Sequence, residues 1–308
     1  MNDVMLDHAI GAVLGGAAGD ALGAGYEFTT PSPDEPIIYK TGTMGFDPGE
    51  WTDDTAQACA ILRVLADDGL DLDAIGAGFL EWFEGGPKDV GNSTAAVLRG
   101  SRGVPARLRA SADEYFARNP RGAAGNGSLM RTSPIAIAYL GDDRAMADAA
   151  REVSDLTHGD PLAADGCVLW CIAIDRAVRE QRLDGVWDGL DLLGGESAGR
   201  WGAWLQDADT QPPSTFRNNG WVVGGLQAAH AAISQTPVPD DDPQRHLVDA
   251  LEAAVRIGND TDTVAAIAGM VLGARWGASA IPTEWRDMLH GWPGWTADDI
   301  EQQVRRLL

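Results

Sequence analysis

Residues 1–25 read MNDVMLDHAIGAVLGGAAGDALGAG. The stretch is apolar and small, with no alternation of β-branched residues, so it reads as a helix and not a strand. Small residues recur along it at Gly11, Gly15, Gly16 and Gly19, and again near the far end of the chain at Ala265, Ala266, Ala268 and Gly269. Side chains this small let two helix backbones approach closely. The segment carries Asp3, Asp7 and Asp20 and no leading positive charge, which argues against a signal peptide.

Working outward, alanine, leucine and glycine dominate throughout, and helices are expected to begin near Asp7, Thr55, Ser93, Ser128, Arg144, Leu162, Ser197, Trp221, Gln244, Asp262, Thr283 and Asp298. The fold class that follows is all-α: a compact, single-domain orthogonal bundle of about a dozen helices. No repeat interrupts it, and TPVPDDDPQ at 236–244 is short enough for an inter-helix loop, so residues 1–308 read as one domain.

A formal net charge of -23 opposes attraction to unmodified nucleic acid and to anionic membrane, both of which are polyanionic. No uninterrupted apolar run is long enough to span a bilayer. The cysteines Cys59, Cys167 and Cys171 are sparse and odd in number, which suits a reducing compartment, and cytoplasm is the expected location. Cys167 and Cys171, four apart on an apolar segment, read as packing residues. Most of the 11 tryptophans read as core or cleft lining rather than a sugar platform.

Two polar clusters carry the chemistry. Thr52, Asp53, Asp54 and Thr55 precede the apolar run Ala56 to Leu65, and Gly258 to Thr263, reading GNDTDT, precede Val264 to Trp276. Each alone could be a helix cap, since Thr and Asp satisfy orphan N–H groups and complement the helix dipole. Four carboxylates with hydroxyls exceed what capping requires. Oxygen-only donors select Mg2+, Mn2+ or Ca2+, and the absence of paired His or Cys argues against zinc. If the two helix starts converge, they could hold two ions, a hydrolase arrangement.

Six segments in order resemble the ADP-ribosylglycohydrolase family: GAAGDALGAGYEF at 16–28, WTDDTAQA at 51–58, DVGNSTAAVLRG at 89–100, GNGSLMRTSPIAI at 125–137, THGDPLA at 157–163 and GNDTDTVAAIAGMVLGARWG at 258–277. The resemblance implies an all-α enzyme with a central dinuclear cleft, two divalent cations (Mg2+ or Mn2+), and ligands at Thr52, Asp53, Asp54, Asp260, Asp262 and Thr263. It implies further that Glu27, seven residues after Asp20, contacts a metal as a movable gate, a spacing seen in the serine-specific branch, while Asp20 supports the fold. By itself Glu27 could be a solvated loop charge. Asp89 matches an aspartate near the scissile ribose, although alone it could be an exposed loop residue before a helix capped by Ser93. With Glu27, Asp53, Asp54, Asp260 and Asp262 it completes the candidate catalytic set. The run Arg121, Gly122, Ala123, Ala124, Gly125, Asn126, Gly127 and Ser128 could be only a turn; the family uses it for a diphosphate, which backbone N–H groups suit. His158 matches a histidine near the ADP-ribose, or could serve a helix C-terminus.

The implied activity is hydrolysis of the bond between ADP-ribose and a modified side chain, through serine or arginine, or of another ADP-ribosyl conjugate. Substrates would be ADP-ribosylated proteins or small molecules, with ADP-ribose as product. Competing readings are a non-catalytic ADP-ribose-binding or structural protein on the same fold, and a metal-independent glycosidase using two carboxylates.

Overall fold

The computed structural model describes residues 2–308. Among these residues there are fourteen α-helices: α1 (Asp3–Ala24), α2 (Asp53–Asp68), α3 (Leu72–Glu84), α4 (Asn92–Ser101), α5 (Leu108–Arg118), α6 (Ser133–Ala138), α7 (Asp143–Asp155), α8 (Pro161–Glu180), α9 (Gly195–Thr210), α10 (Val222–Gln235), α11 (His246–Arg256), α12 (Thr261–Trp276), α13 (Thr283–Met288) and α14 (Ala297–Leu307). The strands among the described residues are β1 (His290–Gly291) and β2 (Trp295–Thr296), paired antiparallel. The all-α expectation therefore holds.

The organising contact is between α1 and α12, the most extensive helix pairing in the molecule. From Gly11 to Gly23 every fourth residue of α1 is a glycine pressed onto α12 backbone. A Cβ at Gly11 would strike the Gly273 carbonyl, at Gly15 that of Gly269, at Gly19 that of Ala265, and at Gly23 that of Thr261. The pairing is thus antiparallel, and at these four positions no side chain separates the backbones. Overpacking such a contact costs ~1–3 kcal/mol per added group. The consequence for function is positional: the C-terminus of α1 lies beside the N-terminus of α12, two hundred and more residues away in sequence. Helices α2 and α14 pack on α1 and on each other, and α8, α10 and α11 pack on α12. One apolar cluster runs from Ala9 to Val304.

Several expectations need correction. The first helix starts at Asp3, capped by the Asn2 side chain, which accepts from Met5 N at 2.8 Å, rather than near Asp7. The segment beginning at Ser128 enters a 3-10 turn, Leu129–Arg131, before α6. Ser93 does not cap α4. Gly91 stands at the cap position, and the Ser93 hydroxyl instead donates to Tyr115 Oη at 3.3 Å. Helices α3 and α5 were not anticipated. Among the described residues no helix is long and apolar enough to cross a membrane.

Candidate active site

A cleft of about 650 Å³ opens between the α1–α12 junction and the glycine-rich segment. Its acidic wall starts from the end of α1. Beyond that helix the backbone is stapled to the approach to α12, with Phe28 N donating to Asn259 O at 2.7 Å and Asn259 N to Thr29 O at 3.1 Å. Glu27 is thereby held beside the start of α12, and carboxylate oxygens of Glu27, Asp260 and Asp262 lie within 4.8 Å of one another. Glu27 is 4% exposed, so it is not a solvated loop charge.

The start of α2 completes this wall. Asp20, fully buried in α1, accepts from Thr52 N at 3.0 Å, from Thr55 N at 3.0 Å and from Thr55 Oγ1 at 2.6 Å. It fastens the α2 N-terminus to α1, a supporting role, and is not among the residues lining the cleft. Asp53 lines the cleft. Asp54 is buried behind it, its Oδ1 accepting from Thr263 Oγ1 at 3.5 Å. Thr52 caps α2, its hydroxyl accepting from Asp54 N at 3.5 Å, and it lines a second cavity rather than the cleft. The capping reading of this segment is thus met by Thr52.

The electrostatics are one-sided. Burial, then the charges of Asp89, Asp260, Asp53 and Asp20, push Glu27 up to about 8. Burial raises Asp20 to about 6 against its hydrogen bonds. Asp53, Asp54 and Asp262 lie well above the usual carboxylate range, first through burial and then through neighbouring carboxylates, chiefly Asp89 for Asp53, Asp20 for Asp54 and Asp260 for Asp262, and burial raises Asp260 as well. Carboxylates crowded in this way resist ionising together unless a cation joins them. Glu27 Oε2, Asp54 Oδ2 and Asp262 Oδ1 are buried without any hydrogen-bond partner among the described residues. Buried polar atoms are nearly always satisfied, so three such oxygens in one cluster fit a divalent cation that takes oxygen donors.

The opposite wall is built from the glycine-rich segment. Gly122, Gly125, Asn126 and Gly127 line the cleft, whereas Arg121 and Ala124 border an adjoining cavity of about 460 Å³. Ala123 and Ser128 are buried away from it, with the Ser128 hydroxyl accepting from Ser154 Oγ at 2.9 Å. The Gly127 N–H has no acceptor among the described residues. Asn126 does more than border a ligand: its Nδ2 donates to Asp260 Oδ2 at 2.6 Å and to Asn219 O at 2.8 Å, so it ties one wall to the other. His158 is 2% exposed and lines the cleft, with Nδ1 2.8 Å from Thr157 Oγ1. Burial, then the charge of Arg131, lowers it to about 3, so the ring is neutral.

Asp89 is half-buried and borders both the cleft and the second cavity, of about 200 Å³, as does Asp53. That second cavity is aromatic, with Phe46, Trp51, Trp82 and Trp292 on its walls and the Glu50–Lys88 ion pair at 2.5 Å. Sequence reasoning missed Gln57, Arg131 and Asn219. A charge inside the apolar run LMRTSPIAI was the available signal for Arg131. The other two are polar residues in ordinary helical or loop settings and gave none.

The ADP-ribosylglycohydrolase family profile matches residues 1–308. The chain belongs to that family. Among curated ADP-ribosylglycohydrolase relatives, the ADP-ribosyl-[dinitrogen reductase] glycohydrolase of Rhodospirillum rubrum is 30% identical over 97% of this chain and 94% of its own length. The ADP-ribosylarginine hydrolase Tri1 of Pseudomonas putida (strain GB-1) is 30% identical over 91% of this chain and 73% of its own. Human ADP-ribosylhydrolase ARH3 is 24% identical over 96% and 92% respectively. A solved ADP-ribosylglycohydrolase-related protein complex superposes with TM-score 0.78 at 25% identity, covering 99% of this chain and 98% of that one. As a member of the ADP-ribosylglycohydrolase family the chain is a hydrolase of glycosyl bonds.

Proposed function

We propose that the chain, acting as one unit over residues 1–308, is a divalent-metal-dependent ADP-ribosyl hydrolase that releases ADP-ribose from a modified side chain. The observation that carries this reading is the cluster of partnerless buried carboxylate oxygens on Glu27, Asp54 and Asp262 at the wall of an ADP-ribose-sized cleft. Asp53, Asp54, Asp260 and Asp262, with Thr263 and Glu27, are the residues that would hold two ions, Mg2+ or Mn2+; Thr52 contributes by shaping the α2 terminus. Bound there, divalent ions supply positive charge that orients ribose hydroxyls and acidifies water.

The chain's own groups divide the remaining work. Backbone N–H groups of the glycine-rich segment and His158 hold the diphosphate, offsetting the repulsion of an acidic protein for an anionic ligand. Asp89, at the boundary between the cleft and the aromatic cavity, stands where the bond to the leaving side chain is broken. In the reaction, water oxygen bonds to C1 of the ribose distal to adenine and the C1–N or C1–O bond breaks. The water loses a proton to a carboxylate, and the leaving atom gains one, with Asp89 or Glu27 as the carrying group. The leaving side chain occupies the second cavity. A reader protein without activity has no need of this carboxylate cluster, and a metal-independent glycosidase would not leave its oxygens unpartnered. The three buried, unpaired cysteines support a cytoplasmic setting.

Serine-linked and arginine-linked ADP-ribosyl peptides are the substrates for the test, with Mg2+ or Mn2+ and then with chelator. The expected result is ADP-ribose release from at least one, abolished by chelation and restored by metal. Release that persists in chelator contradicts metal dependence, and no release from either, with ADP-ribose still bound, favours the reader.

A further inference from the structure

Arg131 is the most deeply buried arginine of the described chain, has no exposed surface and does not line the cleft, yet one intervening residue on each side links it to both walls. Its guanidinium lies 4.2 Å from the centre of the Phe79 ring. One arm, Nη1, donates to Gln57 Oε1, and Gln57 Nε2 lies 3.4 Å from Asp53 Oδ2 on the acidic wall. The other arm, Nη2, donates to Thr157 Oγ1 at 2.7 Å and to Val153 O at 3.5 Å, and Thr157 Oγ1 lies 2.8 Å from His158 Nδ1 on the opposite wall.

A guanidinium carries donors only, and that fixes the direction of every hydrogen bond downstream of it. Gln57 must turn its carbonyl oxygen to Arg131, which leaves its amide N–H facing Asp53; the flipped amide would set donor against donor. Thr157 accepts from Arg131, and its hydroxyl hydrogen then finds one acceptor among the described residues, His158 Nδ1. Nδ1 must therefore carry a lone pair, and the neutral ring keeps its proton on Nε2. That nitrogen has no partner among the described residues and faces the glycine-rich segment: a Cβ on Gly127 would lie 3.1 Å from it and one on Gly125 3.5 Å.

We propose that Arg131 is a positioning residue that sets hydrogen-bond polarity on both walls of the cleft, presenting the Gln57 amide N–H to Asp53 and holding His158 as the Nε2–H tautomer, a donor aimed at an anionic group seated against the glycine-rich segment. That the anion is the diphosphate of ADP-ribose rests on the functional reading above; the tautomer does not. Arg131 touches neither wall directly, so its influence travels through Gln57 and Thr157.

The test is the ring ¹⁵N spectrum of the full-length chain labelled at histidine, read beside ADP-ribose affinity by calorimetry. In the wild type, His158 is expected to show an unprotonated Nδ1 and a protonated Nε2. Thr157→Val, which keeps shape and removes the hydroxyl, should shift the ring toward Nδ1–H and weaken ADP-ribose binding about tenfold while leaving bound divalent metal unchanged. Thr157→Ser should restore both readouts, which a purely steric role would not predict. A wild-type ring protonated on Nδ1, or a Thr157→Val variant with unaltered tautomer and affinity, overturns the proposal. If Thr157→Val fails to fold, the wild-type spectrum still decides. A wild-type chain with the expected tautomer but no ADP-ribose affinity would count against the functional reading alone.

Discussion

The two walls of the cleft are made by opposite means. On the acidic wall, Glu27, Asp54 and Asp262 are forced together by backbone packing of α1 on α12 and by Asp20 holding the start of α2, and one carboxylate oxygen of each finds no partner among the described residues. On the glycine-rich wall Asn126 is satisfied by Asp260 and Asn219 and Ser128 by Ser154, while His158 is paired only at Nδ1, with Thr157, and a main-chain donor at Gly127 has no acceptor among the described residues. One wall lacks positive charge, and the other offers donors to negative charge. A cation and an anion bound side by side satisfy both, which is what a metal-assisted hydrolase of a diphosphate-containing substrate needs.

The sharpest way to break this comparison is to remove one ligand from the acidic wall. Asp262→Ala should abolish metal binding and lower turnover on the order of 1,000-fold, because it removes an anionic oxygen ligand that the dication needs in every state. Assays of metal content and hydrolysis check it, and retention of both would mean the wall is not a cation site. A smaller effect is expected across the cleft. In Gly127→Leu the added Cβ would lie 3.0 Å from His158 Cε1 and 3.4 Å from Thr94 Oγ1, displacing the ring. ADP-ribose affinity should fall ~10–100-fold by steric displacement, with metal content unchanged, and calorimetry decides. Equal loss of metal would show that the walls are not independent.

The smallest change is expected from Glu27→Ala. Glu27 sits at the junction, belonging to the carboxylate cluster yet bordering the open cleft. Its removal should spare folding and most ADP-ribose affinity and slow turnover about tenfold. Comparing serine-linked and arginine-linked peptides with this variant also tests the serine-type spacing from Asp20. Unchanged turnover on every cleavable substrate would remove that reason for preferring serine linkage.

The acidic cluster was legible because its carboxylates sit at helix starts, where polar residues interrupt apolar periodicity, as in WTDDT and GNDTDT. The α1–α12 pairing was foreshadowed by Gly11, Gly15, Gly19 and Gly269, but not its antiparallel sense, which is what brings Glu27 to Asp262. Helix α3 was hidden by Gly76 and Gly78, which look like breaks and instead admit Leu108 and Ala60 as close neighbours. Helix α5 buries only Leu108, Ser111 and Ala112 and so carries little apolar signal. The contributions of Gln57, Arg131 and Asn219 depend on contacts across 74, 26 and 41 residues, which local pattern does not encode.

The central claim is that the carboxylates of α1, α2 and α12 form a divalent-cation site. Titrating Mn2+ into the metal-stripped full-length chain by calorimetry tests it most directly. Saturable binding of two ions per chain, lost in Asp262→Ala, is the predicted result. Absence of saturable binding to the wild type, or binding by Asp262→Ala equal to it, would contradict the account.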